Sequence, residues 1–139
     1  MKLGVVGNGK IVKRLLEDVH NLPDINVHAI CVREKSLQEG RMLADRWRIR
    51  EIYTEYSVFL TRTDVDTVYI GIISSLHYAY AKMALEAGKN VICEKPFTTE
   101  YDEALELINL AKKKNLFLWE ACKIPYSRSF RAIKENLGL

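Results

Sequence analysis

Little in this sequence of 139 residues could staple it, anchor it or bind a metal. Its three cysteines, Cys31, Cys93 and Cys122, are odd in number and form no C-x-x-C pair or His/Cys cluster. That excludes a disulfide frame and a structural zinc site. Each cysteine lies in or beside an apolar, strand-like run, so buried free thiols in a reducing compartment are expected. No charged-then-apolar leader opens the chain, and the longest apolar run, Val68 to Ile73, is far too short to span a bilayer. Cytoplasm is the expected location. Charge of one sign is lacking as well: a net +3 argues against nucleic acid or an acidic membrane as partner. Internal repeats, low-complexity tracts and Gly/Pro/Ser linkers are absent, which leaves one main domain able to bury about two thirds of its unfolded surface.

The sequence does have the balance of an ordinary globular protein, 48% apolar and 28% charged, and a steady alternation of two periodicities. Strand-like runs occur at Lys2–Val6, Val27–Val32, Glu51–Tyr53, Thr67–Ile72, Asn90–Cys93 and Leu116–Trp119. Helical patterns fill the gaps. The first covers Ile11–Asn21, and a second begins at Ser36, where Ser36-Leu37-Gln38-Glu39 reads as a capping box. A short helix follows Glu55. Another runs from Leu76 to Ala87, with Leu76, Tyr80, Met83, Ala84 and Ala87 on one face and Gly88 as its stop. Thr99 is the expected cap of the last long helix, whose apolar face reads Ala104, Leu105, Ile108 and Ala111. The basic runs at Arg46–Arg50 and Lys112–Lys114 read as solvated helix ends, with Trp47 turned inward. Near-continuous apolar strands alternating with helices imply a doubly wound parallel α/β sheet, a Rossmann fold, in strand order 3-2-1-4-5-6.

Two strand ends carry chemistry. Val91-Ile92-Cys93-Glu94-Lys95-Pro96-Phe97 delivers a carboxylate and an ammonium side by side, and Pro96 keeps Lys95 out of helix. A lysine at a strand's carboxyl end can polarise a carbonyl or carry a proton; a surface ion pair beside a turn proline is the plainer alternative. The second signal is Gly7-Asn8-Gly9-Lys10-Ile11, between the first strand and an amphipathic helix. There Gly7 permits a tight turn, Gly9 lets backbone approach a pyrophosphate, and the helix N-terminus holds the anion. Val12 replaces the third glycine of the dinucleotide fingerprint, a position that governs helix–strand packing. At the end of strand two, Arg33 would suit a 2′-phosphate and hence NADP, Glu34 would serve NAD, and a solvated pair is the third possibility. After strand four, Ser74 or Ser75 is a natural N-cap. His77 falls in the first turn, either an ordinary surface residue or one above the nicotinamide.

Taken together, the G-x-G turn, Val65-Asp66-Thr67-Val68-Tyr69-Ile70-Gly71, Ser75-Leu76-His77-Tyr78, Ala84-Leu85-Glu86-Ala87-Gly88-Lys89-Asn90-Val91, Cys93-Glu94-Lys95-Pro96 and Leu118-Trp119-Glu120-Ala121 resemble the Gfo/Idh/MocA oxidoreductases. The resemblance implies hydride transfer between NAD or NADP and a sugar- or polyol-like substrate. It makes Gly7, Asn8, Gly9, Lys10, Ile11, Arg33, Ile72, Ile73, Ser74, His77, Glu94 and Lys95 the candidate cofactor-binding residues; Arg33, not the resemblance, favours NADP over NAD. Lys95 and His77 become the candidate catalytic residues, and the Lys95–Pro96 peptide is expected to be cis. Where that family commonly has Thr-Pro-Asn, this chain has Ile72-Ile73-Ser74.

The resemblance also implies a dinucleotide-binding domain over residues 1–122 and a helical tail over 123–139, leading towards a substrate domain this sequence lacks. Such a piece is expected to bind cofactor weakly and turn over poorly, and to self-associate as a homodimer through apolar surface around Phe130 and Ile133. A non-catalytic dinucleotide sensor that binds another protein is the alternative reading.

Overall fold

Six parallel strands form one sheet in the computed structural model, which describes residues 1–123 and 127–137. The strands are β1 (Lys2–Val6), β2 (Asn26–Cys31), β3 (Glu51–Tyr53), β4 (Thr67–Ile70), β5 (Asn90–Cys93) and β6 (Leu118–Glu120). Their spatial order is β3-β2-β1-β4-β5-β6, the doubly wound arrangement the alternation implied. Helices α1 (Lys10–Val19), α2 (Leu37–Trp47), α3 (Tyr56–Arg62), α4 (His77–Glu86) and α5 (Tyr101–Lys114) connect them, and α6 (Arg128–Leu137) follows the sheet.

The strand pleat decides which helix packs where. On one face Val6, Ala29, Cys31, Val68, Ile70, Val91 and Cys93 meet α3, α4 and α5 through Phe59, Leu85 and Leu107. The alternate residues Leu3, Val5, Ile30 and Tyr69 meet α1 and α2 through Val12, Leu16 and Leu43. Phe59, fully buried, fills the space left by Gly4, where an added Cβ would lie 2.5 Å from the phenyl ring. Burying a ring of this size contributes about 1.5–3 kcal/mol. Towards β6 the second face is thinly covered: Tyr69, Ile92 and Trp119 border a groove of about 750 Å³ beside α1.

Several local expectations need correcting. Strand β2 spans Asn26–Cys31 instead of Val27–Val32, β4 stops at Ile70, and β6 runs Leu118–Glu120. The capping box does not form. A 3₁₀ turn, Glu34–Ser36, precedes α2, Ser36 makes no side-chain cap bond, and the Glu39 carboxylate takes the Asn8 side-chain amide instead. Thr99 does not cap α5; Glu100 occupies that position. Helix α4 buries His77, Ala81, Ala84 and Leu85, while Met83, and Leu76 in the 3₁₀ turn Ser74–Leu76 before it, face outward. In α5 the buried stripe is Leu107 and Ala111, and Leu105 and Ile108 are exposed. Cys31 and Cys93 are buried as expected, but Cys122 is only half-buried. The tail expected over 123–139 is described as α6, whose side chains from Arg128 to Asn136 are exposed; residues 124–126, 138 and 139 lie outside the described residues.

Candidate cofactor site

The crevice above β1 and β4 is built by two stitched strand ends. The Gly7 N–H donates to the Cys31 carbonyl at 2.8 Å and the Gly71 N–H to the Val6 carbonyl at 2.9 Å. Gly7 sits at φ 110°, a conformation that excludes side chains, and an added Cβ there would lie 2.5 Å from the Gly71 carbonyl oxygen. Gly9 differs: a Cβ would meet no atom of the described residues within 4 Å. Helix α1 begins directly after it, and its first intrahelical bond runs from the Lys13 N–H to the Gly9 carbonyl at 3.1 Å. The amides of Lys10, Ile11 and Val12 therefore have no acceptor within the helix, as an anion cradle at a helix start requires.

A cleft of about 340 Å³ opens from this turn. Gly7, Asn8, Gly9, Ile11, Arg33, Ile72 and Ile73 all line it, so the structure brings seven of the sequence candidates together. Thr54, Tyr56 and Tyr80, which sequence reasoning missed, line it as well. There the Tyr56 and Tyr80 rings stack at 4.3 Å, and the Tyr56 hydroxyl donates to the Tyr80 carbonyl at 2.9 Å. Burial raises the Tyr56 hydroxyl well above the usual phenol range. Arg33 is exposed, and its guanidinium has no hydrogen-bond or ion-pair partner among the described residues. Val12 is fully buried where the fingerprint has glycine. Gly71 makes the room: a Cβ on it would lie 2.7 Å from a Val12 methyl.

The remaining candidates lie elsewhere. Lys10 and Ser74 are exposed and border the cleft without lining it. Glu94 turns into the neighbouring groove, where the Tyr69 hydroxyl donates to it at 2.6 Å. Burial and that carboxylate raise the Tyr69 hydroxyl. Lys95 is exposed, and the peptide to Pro96 is cis. His77 is not at the surface: it is 1% exposed, with Nδ1 2.7 Å from the Pro96 carbonyl and Nε2 3.0 Å from that of Ile72. Tyr69 and Glu120, whose carboxylate accepts the Phe97 N–H at 3.1 Å, were not singled out by sequence. The register could have shown the former, since Tyr69 pairs with Ile92 and Glu94 shares that pleat face.

The model of the Gfo/Idh/MocA oxidoreductase family, NAD-binding Rossmann fold, matches residues 1–121. The chain belongs to that family. Among its relatives, trans-1,2-dihydrobenzene-1,2-diol dehydrogenase of Xenopus tropicalis is 31% identical over 138 residues, covering 99% of this chain and 41% of the relative. Scyllo-inositol 2-dehydrogenase (NADP(+)) of Bacillus subtilis is 27% identical, over 99% of this chain and 41% of its own length. A solved 3-ketoreductase from Actinomadura kijaniata, in complex with NADP and TDP-benzene, superposes with a TM-score of 0.91 at 29% identity. That match covers 99% of this chain and 42% of the reductase. This member of the family thus spans about two fifths of the length of the relatives it matches.

Proposed function

We propose that this chain holds NADP along the carboxyl edge of its sheet and presents Lys95 to the reacting oxygen of a sugar- or polyol-like substrate. The observation that carries the reading is the cleft itself: open space over Gly9 and the start of α1 is continuous with an unpaired Arg33 guanidinium. Helix amides would take the pyrophosphate, and the planar fork of Arg33 suits a 2′-phosphate. Glu34, the residue that would favour NAD, starts a 3₁₀ turn and does not line the cleft. The relatives named for NADP support the same preference. When bound, the nicotinamide supplies the hydride donor or acceptor. In this reading Lys95, exposed and unpaired among the described residues, would hold or deliver a proton at the substrate oxygen. Dehydrogenase and ketoreductase names among the relatives support a carbonyl or secondary alcohol as the reacting group.

Titration with NADPH and NADH, read by thermal shift, tests the reading. NADPH is expected to bind about 10–100-fold more tightly than NADH, the worth of one charge-assisted contact. Arg33→Ser should erase that difference while leaving NADH affinity within about twofold. Equal binding of the two dinucleotides by the unaltered chain would refute the NADP preference, and binding of neither would refute the site.

The finer organisation follows the same reading. Residues 1–122 act as the dinucleotide-binding unit and 123–139 as a connecting tail, in a cytoplasmic protein. Phe130 and Ile133 are 39% and 57% exposed on α6, an apolar pair suited to a second copy of the chain. Sedimentation velocity should show concentration-dependent association that Ile133→Glu abolishes; a monomer at every concentration would remove the proposal.

A further inference from the structure

His77 contacts one wall of the cleft and the turn that carries Lys95, yet is itself sealed from the cleft. Its ring is sealed from solvent at 1% exposure, so it cannot touch a substrate in the cleft. One nitrogen faces the carbonyl of Ile72, a wall of the cofactor cleft, and the other faces the carbonyl of Pro96, directly after Lys95. We propose that His77 is a positioning residue, a brace that fixes the Lys95 loop against the Ile72 turn and so sets where the ammonium stands beside the cleft.

The need for a brace follows from the sheet. The last ladder bond between β4 and β5 runs from the Glu94 N–H to the Ile70 carbonyl at 3.0 Å. Beyond it, among the described residues, the contact of the His77 ring with the Pro96 carbonyl is the only hydrogen bond joining residues 71–77 to 95–98; the contact with Ile72 ties the same ring to its own turn. On the opposite flank the Glu120 carboxylate accepts the Phe97 N–H at 3.1 Å, but Glu120 is exposed, where water competes for the same groups. Both His77 acceptors are carbonyl oxygens, so a ring with one N–H bonds to one of them and a ring with two bonds to both. The shorter contact, 2.7 Å, is the one to Pro96. An imidazole is rigid, so the Pro96 carbonyl bonded to it is held at a fixed place beside the start of α4, whereas a flexible side chain would let it drift.

Substitution can separate the two contacts. An asparagine amide reaches the position of Nδ1 and keeps the Pro96 bond; a glutamine amide reaches that of Nε2 and keeps the Ile72 bond. The experiment compares the unaltered chain with His77→Asn, His77→Gln and His77→Leu by amide hydrogen exchange and by NADPH emission on titration. In His77→Leu and His77→Gln the amides of Lys95, Phe97 and Thr98 should exchange about tenfold faster, with β1 and β4 unchanged. NADPH affinity should stay within about threefold, since the Gly7–Gly9 turn and Arg33 are untouched, while the emission gained by bound nicotinamide falls by about half. His77→Asn should restore both. Unchanged exchange in His77→Leu, full restoration by His77→Gln, or a large affinity loss with protected loop amides would each overturn the brace. If His77→Leu does not fold, the contrast between His77→Asn and His77→Gln decides. Only the emission arm rests on the proposed cofactor: if the unaltered chain binds no NADPH, that reading falls and the exchange rates alone judge His77.

Discussion

Gly7 and Gly9 share one turn but differ in what a methyl group would meet there. At Gly7 the backbone is left-handed and the Gly71 carbonyl oxygen is 2.5 Å from the added carbon; at Gly9 the space is empty among the described residues. Gly7→Ala should therefore lower unfolding free energy by about 1–2 kcal/mol from conformation alone, with the clash adding to it, as read by urea denaturation. Gly9→Ala should leave the urea midpoint unchanged and cost at least about tenfold in NADPH affinity, because the methyl would occupy the pyrophosphate's approach. At this scale the sequence pointed to the right place wherever position along the chain decides it, as for the two glycines and Arg33, which line the cleft; Lys95 is exposed and does not line it. It was not legible where a residue's role depends on what lies opposite. Nothing local says that His77 will face two carbonyls, that Glu39 will leave its helix start for Asn8, or that Gly71 will make room for Val12.

Helix faces were misjudged for a physical reason. In α5 two apolar stripes lie side by side, Leu107 with Ala111 and Leu105 with Ile108, and periodicity alone does not say which one the sheet will take. The sheet takes the first: Leu107 is fully buried, and Leu105 and Ile108 are 44% and 38% exposed. Leu107→Ala should cost about 2–5 kcal/mol and Leu105→Ala no more than about 0.5 kcal/mol, measured by the same denaturation. Strand order, by contrast, could be read directly, because right-handed crossovers leave few ways to lay six parallel strands between helices. Strand ends shifted by one or two residues, which matters where β2 stops at Cys31 and Arg33 swings into the cleft.

The molecule as a whole carries a pH response in its buried acids. Burial, with the charge of Glu55, pushes the Cys31 thiol from 9.0 up to about 12. Burial, with Glu94 and Glu120, does the same for Cys93. Between pH 9 and 12 the unfolded chain loses these protons and the folded chain keeps them, so the unfolded state binds fewer and stability falls as pH rises. Each thiol contributes up to about 1.4 kcal/mol per pH unit in that window, and the raised Tyr56 and Tyr69 hydroxyls act in the same sense above their ordinary 10.0. Urea midpoints at pH 8 and pH 10.5 should show the drop; a flat profile would mean the thiols are not sealed. Native labelling with a thiol reagent at pH 8 should correspondingly modify Cys122 and spare Cys31 and Cys93.

Ile11 lines both the cofactor cleft and the groove that holds Glu94. It is a party wall between two rooms, so bulk added or removed at this one side chain is felt in both. Trimming it would enlarge both at once, so neither compartment can be reshaped there without redrawing its neighbour.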